Sequence, residues 1–238
     1  RPTALTYGSS ASKTEPAYDG LGRLSTRKVY VNGSAYTTAY AYAPGAESGQ
    51  TTALVQEITQ PGENHSYAYD NVGNIVSAAR NGVTTTYAYD ALGQLIRVND
   101  PNDGTWTYEY DCGGNILNKK QYAYTTGTLG TVQQIVSYAY GDADWKDKLT
   151  RYNGVDIAYD AIGNPIHDGV WAYTWENGRQ LRRMACDATI AEFVYNADGL
   201  RVQKTVNGVT TNYTLHGKNI VHMTKGNAEL HFWYDAQN

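Results

Sequence analysis

The chain has 238 residues, 41% of them hydrophobic and 18% charged, with a net charge of -4. That is the composition of a folding chain and not of a disordered one. It excludes the clustered Lys and Arg that nucleic acid or an anionic membrane surface requires, and the sequence has no apolar run of membrane-spanning length.

Tyr outnumbers Phe by 22 to 2. Such a surplus suits rings lying on a sheet with one wet edge, where each hydroxyl keeps a polar partner. The pattern Tyr-Asp-x-x-Gly-x-apolar recurs along the chain. It appears at Tyr18-Asp19 with Gly22, at Tyr69-Asp70 with Gly73, and at Tyr89-Asp90 with Gly93. Tyr110-Asp111 with Gly114 and Tyr159-Asp160 with Gly163 follow, the last with Pro165 at the apolar place. Weaker copies stand at Trp175-Glu176 and at Tyr195-Asn196 with Gly199, and a truncated one at Tyr234-Asp235. Asp first and Gly fourth in a reversal is a type I turn preference: the carboxylate accepts from nearby backbone N–H groups, and Gly takes the positive φ that follows.

Between these copies lie Asn32-Gly33, Asn81-Gly82, Asn153-Gly154 and Asn207-Gly208, pairs suited to type I′ hairpins, with Asp168-Gly169 placed in the same set. From Asp70 to Asp90 the spacing is 20 residues, enough for a turn of four, a strand of seven, a turn of two and another strand of seven. The strand Val83–Tyr89 alternates β-branched and aromatic residues with period two, and no helical stripe competes anywhere. The predicted fold is all-β: tandem antiparallel hairpins in one long, twisted, curled sheet. Residues 1–238 read as a single array of about ten units, with irregular or longer units at 43–64 and 119–149. The second of these reads as an extended hairpin around Gly127–Gly130 that projects from the sheet.

These residues resemble the YD repeats of the Rhs family, which includes bacterial polymorphic toxins, wall-associated proteins, insecticidal toxin-complex subunits and teneurins. The resemblance runs from about Tyr18 to Asp235. The stretch Asp160–Pro165 with Trp171 and Trp175-Glu176-Asn177-Gly178-Arg179 is similar to Rhs proteins of Firmicutes. The resemblance implies a strand-turn-strand ribbon wound into a hollow shell around a C-terminal toxin domain of the same polypeptide. In some members an Asp-Pro-x-Gly core segment carries autoproteolysis. Here Asp100-Pro101 is followed by Asn102-Asp103-Gly104, so only the scaffold is carried over. The expectation is a non-catalytic piece, an open arc, of a secreted or surface bacterial protein that encloses or displays its effector. The chain opens at Arg1 without Met and reads as a fragment.

Trp106, Trp171, Trp175 and Trp233 are the candidates for stacking on a surface glycan, the reading for an adhesion module; cross-strand ladders are favoured. Cys112 and Cys186 are too few for a disulfide framework and read as free buried thiols, with one long-range bridge as the alternative. A symmetric turn at Lys225-Gly226-Asn227 sets residue 222 opposite 230 and residue 231 opposite 221. His222 and His231 then point to opposite faces, and no metal site is expected. Asp142-Ala143-Asp144 lacks the remainder of a calcium loop. No cofactor, nucleic-acid partner or membrane insertion is expected.

Overall fold

The computed structural model describes residues 4–7, 9–232 and 234. It divides into two compact units, residues 1–135 and 136–238. The first holds β1 (Leu5–Tyr7), β2 (Ser9–Tyr18), β3 (Leu24–Val31), β4 (Ser34–Pro44) and β5 (Thr51–Gln60). It continues with β6 (Glu63–Tyr69), β7 (Ile75–Arg80), β8 (Val83–Tyr89), β9 (Leu95–Asp100), β10 (Gly104–Tyr110) and β11 (Ile116–Tyr122). Strand β12 (Val132–Ala139) spans the division. The second unit contains the two-residue strands β13 (Arg151–Tyr152), β14 (Val155–Asp156) and β15 (Ala158–Tyr159). These lead into β16 (Pro165–His167), β17 (Ala172–Glu176), β18 (Gln180–Cys186) and β19 (Thr189–Tyr195). The last four are β20 (Arg201–Val206), β21 (Val209–His216), β22 (Asn219–Lys225) and β23 (Ala228–His231).

All described strand pairs are antiparallel, and within each of the two sheets sequence neighbours are sheet neighbours, with no crossover. In the second unit the pairing lapses at Ile157: β14 and β15 belong to different sheets although one residue separates them. The two turn chemistries alternate. At the pairs Asn32-Gly33, Asn81-Gly82, Asn153-Gly154 and Asn207-Gly208 both residues have positive φ, the type I′ signature. Their register is tight, as in Arg80↔Val83 and Val206↔Val209. Asp168-Gly169 does not belong with them. Only Gly169 has positive φ, and Asp168 Oδ1 instead accepts from the backbone N–H groups of Val170 (3.0 Å) and Trp171 (2.7 Å). The aspartate has satisfied the turn with its own side chain, which removes the need for a left-handed residue there.

The 119–149 stretch differs from expectation around Gly127–Gly130. Strands β11 and β12 are sheet neighbours, but β11 ends at Tyr122 and β12 begins at Val132, so the segment around Gly127–Gly130 is a long connecting loop and not an extension of the strands. Arg97 Nη2 donates to the carbonyls of Thr125 (2.8 Å) and Gly127 (2.9 Å), drawing that loop onto the first unit's sheet. Below it the hydroxyl of Thr105, fully buried, donates to the Thr125 carbonyl at 2.8 Å and accepts from the Thr125 N–H at 2.9 Å. Asn99 completes the network through Thr86 and Arg97.

Among the described residues the buried apolar side chains are few: Tyr122, Val136, Ala191 and Phe193. With so little apolar area removed from water, turn chemistry, cross-strand pairs and hydrogen bonds between successive repeats take a larger share of the stability than in a layered domain.

Candidate functional site: the Tyr–Asp clasp between units

The recurring element is the Tyr–Asp turn, and its geometry repeats from copy to copy. At Asp70, the backbone N–H donates to the Asn74 carbonyl at 2.9 Å and Gly73 N–H donates back to the Asp70 carbonyl at 3.2 Å. Oδ1 of Asp70 accepts from the N–H groups of Val72 (3.0 Å) and Asn74 (2.8 Å). The same four bonds occur at Asp19, Asp90, Asp111 and Asp160. Asn196 reproduces them with its amide oxygen. Gly22, Gly73, Gly93, Gly114, Gly163 and Gly199 all sit at positive φ. At Asp111 the Asn115 amide, then the backbone N–H groups, hold the carboxyl below the ordinary carboxylate range.

The turn closes on a bulge. Tyr89 pairs with Leu95 while Ala88 pairs with Arg97, leaving Ile96 as an extra residue on the outgoing strand. Equivalent shifts occur beside Tyr18, Tyr69, Tyr110, Tyr159, Trp175 and Tyr195. A bulge interrupts the ladder at that point. There the tyrosine of the next unit makes its contact: its hydroxyl donates to the carbonyl of the residue that opens the earlier outgoing strand. Tyr89 reaches Ile75 at 2.8 Å, Tyr110 reaches Leu95 at 2.7 Å, and Tyr195 reaches Leu181 at 3.0 Å. Tyr42, Tyr69, Tyr159 and Tyr234 likewise donate to earlier backbone carbonyls, those of Leu24 at the start of β3, Val55 within β5, Leu149 just before β13 and Ile220 near the start of β22. Burial raises the phenol pKa of Tyr69, Tyr110 and Tyr159, keeping each hydroxyl protonated as a donor. At these seven positions a repeat clasps the one before it.

The tryptophans are absorbed by the same framework. Trp175 stands where a tyrosine would, and its indole Nε1 donates to the Pro165 carbonyl at 2.7 Å, a clasp with N–H in place of O–H. Its turn has changed chemistry, with Asn177 and Gly178 both at positive φ. Trp106 Nε1 donates to Asp103 at 2.8 Å and Lys119 lies 4.2 Å from its ring. Trp171 supplies backbone bonds to the Asp168 turn. Trp233 lies outside the described residues, as does Asp235.

The cysteine burial and the histidine register depart from expectation, and Asp142 has partners of its own. Cys112 and Cys186 are free, but Cys112 is exposed on its turn and Cys186 is half-buried. Asp142 is engaged locally: Lys148 Nζ at 2.8 Å, then the backbone N–H groups of Trp145 and Asp144, lower its pKa to about 2. Finally, Lys225 pairs with Ala228 across a two-residue turn, so His222 faces His231 directly. The imidazoles share one face and stack with centroids 4.6 Å apart, not on opposite faces.

Fold and site together define a tandem hairpin-repeat scaffold. Residues 69–105 and 89–126 match the RHS Repeat family, and in that stretch the chain is built of RHS-type repeats. The "tRNA nuclease WapA" of Bacillus subtilis (strain 168) is 31% identical over 135 residues, covering 56% of this chain and 5% of that protein. The "tRNA(Glu)-specific nuclease WapA" of Bacillus subtilis subsp. natto (strain BEST195) is 38% identical over 77 residues, covering 31% and 3%. The chain thus spans about one-twentieth of the length of such relatives. A solved structure of the Photorhabdus luminescens Tc holotoxin pore shares the fold, with a TM-score of 0.54 and 17% identity over 92% of this chain and 14% of that one.

Proposed function

We propose that this chain is a non-catalytic wall segment of a secreted or surface-exposed bacterial Rhs-type protein, one array from 1 to 238, serving to enclose or display a C-terminal effector domain of the same polypeptide. The observation that supports this most is the employment of the repeat's polar groups. The carboxylates of Asp19, Asp70, Asp90, Asp111 and Asp160 are each held by their own turn, and the clasping hydroxyls by the neighbouring repeat. Groups so engaged are poorly placed to act on a substrate, since a catalytic base or nucleophile needs a free lone pair or a removable proton. They are well placed to hold a thin sheet in one geometry. Repeat similarity to the WapA nucleases is consistent with a role beside an effector and not as one. The tryptophans offered for glycan stacking favour the scaffold too, since Trp106 and Trp175 spend their indole N–H groups within the sheet.

Two observations test this. Purified chain incubated with bulk tRNA should leave it intact, and cleavage that survives repurification and is lost on one Asp or His substitution would overturn the reading. The native coding sequence should continue beyond Asn238 into an effector domain. A stop codon directly after that position would defeat the container role while leaving the scaffold.

A further inference from the structure

We propose that the β22–β23 hairpin carries a binding site for a divalent transition-metal ion, with His222, Glu229 and His231 as its three protein ligands. The hairpin geometry places them. Phe232 N–H donates to the Val221 carbonyl at 3.0 Å, so residues 221 and 232 are the hydrogen-bonded pair. His222 and His231 form the adjacent non-hydrogen-bonded pair, the position in an antiparallel ladder where facing side chains come closest. Glu229 lies two residues before His231 and pairs with Thr224, two residues after His222, so alternation puts all three ligands on one face.

The donor atoms converge. Nε2 of His222 is 2.7 Å and Nε2 of His231 is 3.1 Å from the same oxygen, Oε1 of Glu229. All three donor atoms lie within 4.8 Å of one another. A tetrahedral zinc ion with bonds of ~2.0–2.1 Å needs donors ~3.3 Å apart. The observed separations reach that with small torsional adjustments, for which the exposed Glu229 and His231 side chains have room. Two imidazoles and one carboxylate suit zinc, nickel or copper(II), whereas calcium and magnesium prefer sites built wholly of oxygen. Three protein ligands leave further coordination positions to water or to a fourth donor from elsewhere.

The test is calorimetric titration of the 238-residue chain with zinc chloride alone, repeated with nickel and with calcium. One saturable zinc site per chain is expected, with no comparable calcium binding. His222→Gln and His231→Gln should each lose at least the ~10–100-fold typical of removing even a supporting residue, and Glu229→Gln should also weaken binding. Circular dichroism should show all three variants folded. Absence of a saturable site, or a His222→Gln/His231→Gln double variant binding as tightly as the parent, overturns the assignment. Should a variant misfold, the parent still decides it: zinc should shift the imidazole NMR signals of His222 and His231 among the five histidines. Shifts confined to the other three overturn it.

Discussion

Tyr89 and Asp90 are adjacent, yet they bond in different directions: the aspartate closes its own turn and the tyrosine reaches back one unit. Tyr89→Phe removes only the reaching-back bond and strands the Ile75 carbonyl. We expect a loss of about 1 kcal/mol, rising toward ~3 where the carbonyl finds no water, read as a lower urea midpoint. Gly93→Ala and Gly163→Ala both force a side chain into positive φ, at ~1–3 kcal/mol. A Cβ at Gly93 meets open space, whereas one at Gly163 would lie 2.6 Å from the Trp145 ring. The Gly163 variant should therefore be the less stable in thermal melts. Equal losses would show that backbone strain alone sets the effect. The lowered pKa of Asp142 contributes stability that is fully present above the ordinary carboxylate value of ~4 and is lost as pH falls through about 2. Urea midpoints should drop over that acid range, and Asp142→Asn should flatten the drop.

At the scale of elements, the alternation of Asp-x-x-Gly and Asn-Gly turns was legible because each is a local matter of φ and of a carboxylate two to four residues from its donors. The clasp was not. Its acceptor is chosen by a bulge on a neighbouring strand, and only the spacing hinted at it: a 20-residue period less the six residues from Tyr to the apolar place is the 14-residue separation from Tyr89 to Ile75. Register at Lys225–Ala228 was misjudged for a related reason. Gly226 alone at positive φ is compatible with two-residue and three-residue turns, and a one-residue slip sends His231 to the other face. The loop between β11 and β12 was hidden because Arg97, about 30 residues earlier, holds it. Arg97→Ala should free it, and limited proteolysis should then cut near Gly127–Gly130 in the variant well before the parent. Equal cutting rates would remove Arg97 as the anchor.

For the whole molecule, the repeat architecture was legible from repetition, since several copies of a good turn at one period say more than any single copy. The role is less so, because the repeat turns specify a scaffold and not what it holds. What the chain itself supports is a scaffold of nearest-neighbour links, in which each unit is stabilised by the one before it. Hydrogen exchange read by mass spectrometry on Tyr89→Phe tests that most directly. The account predicts faster amide exchange in β7, β8 and β9, on both sides of the lost clasp, with the strands from β18 to β22 unchanged. Acceleration spread evenly over every strand, or none at all, would contradict it.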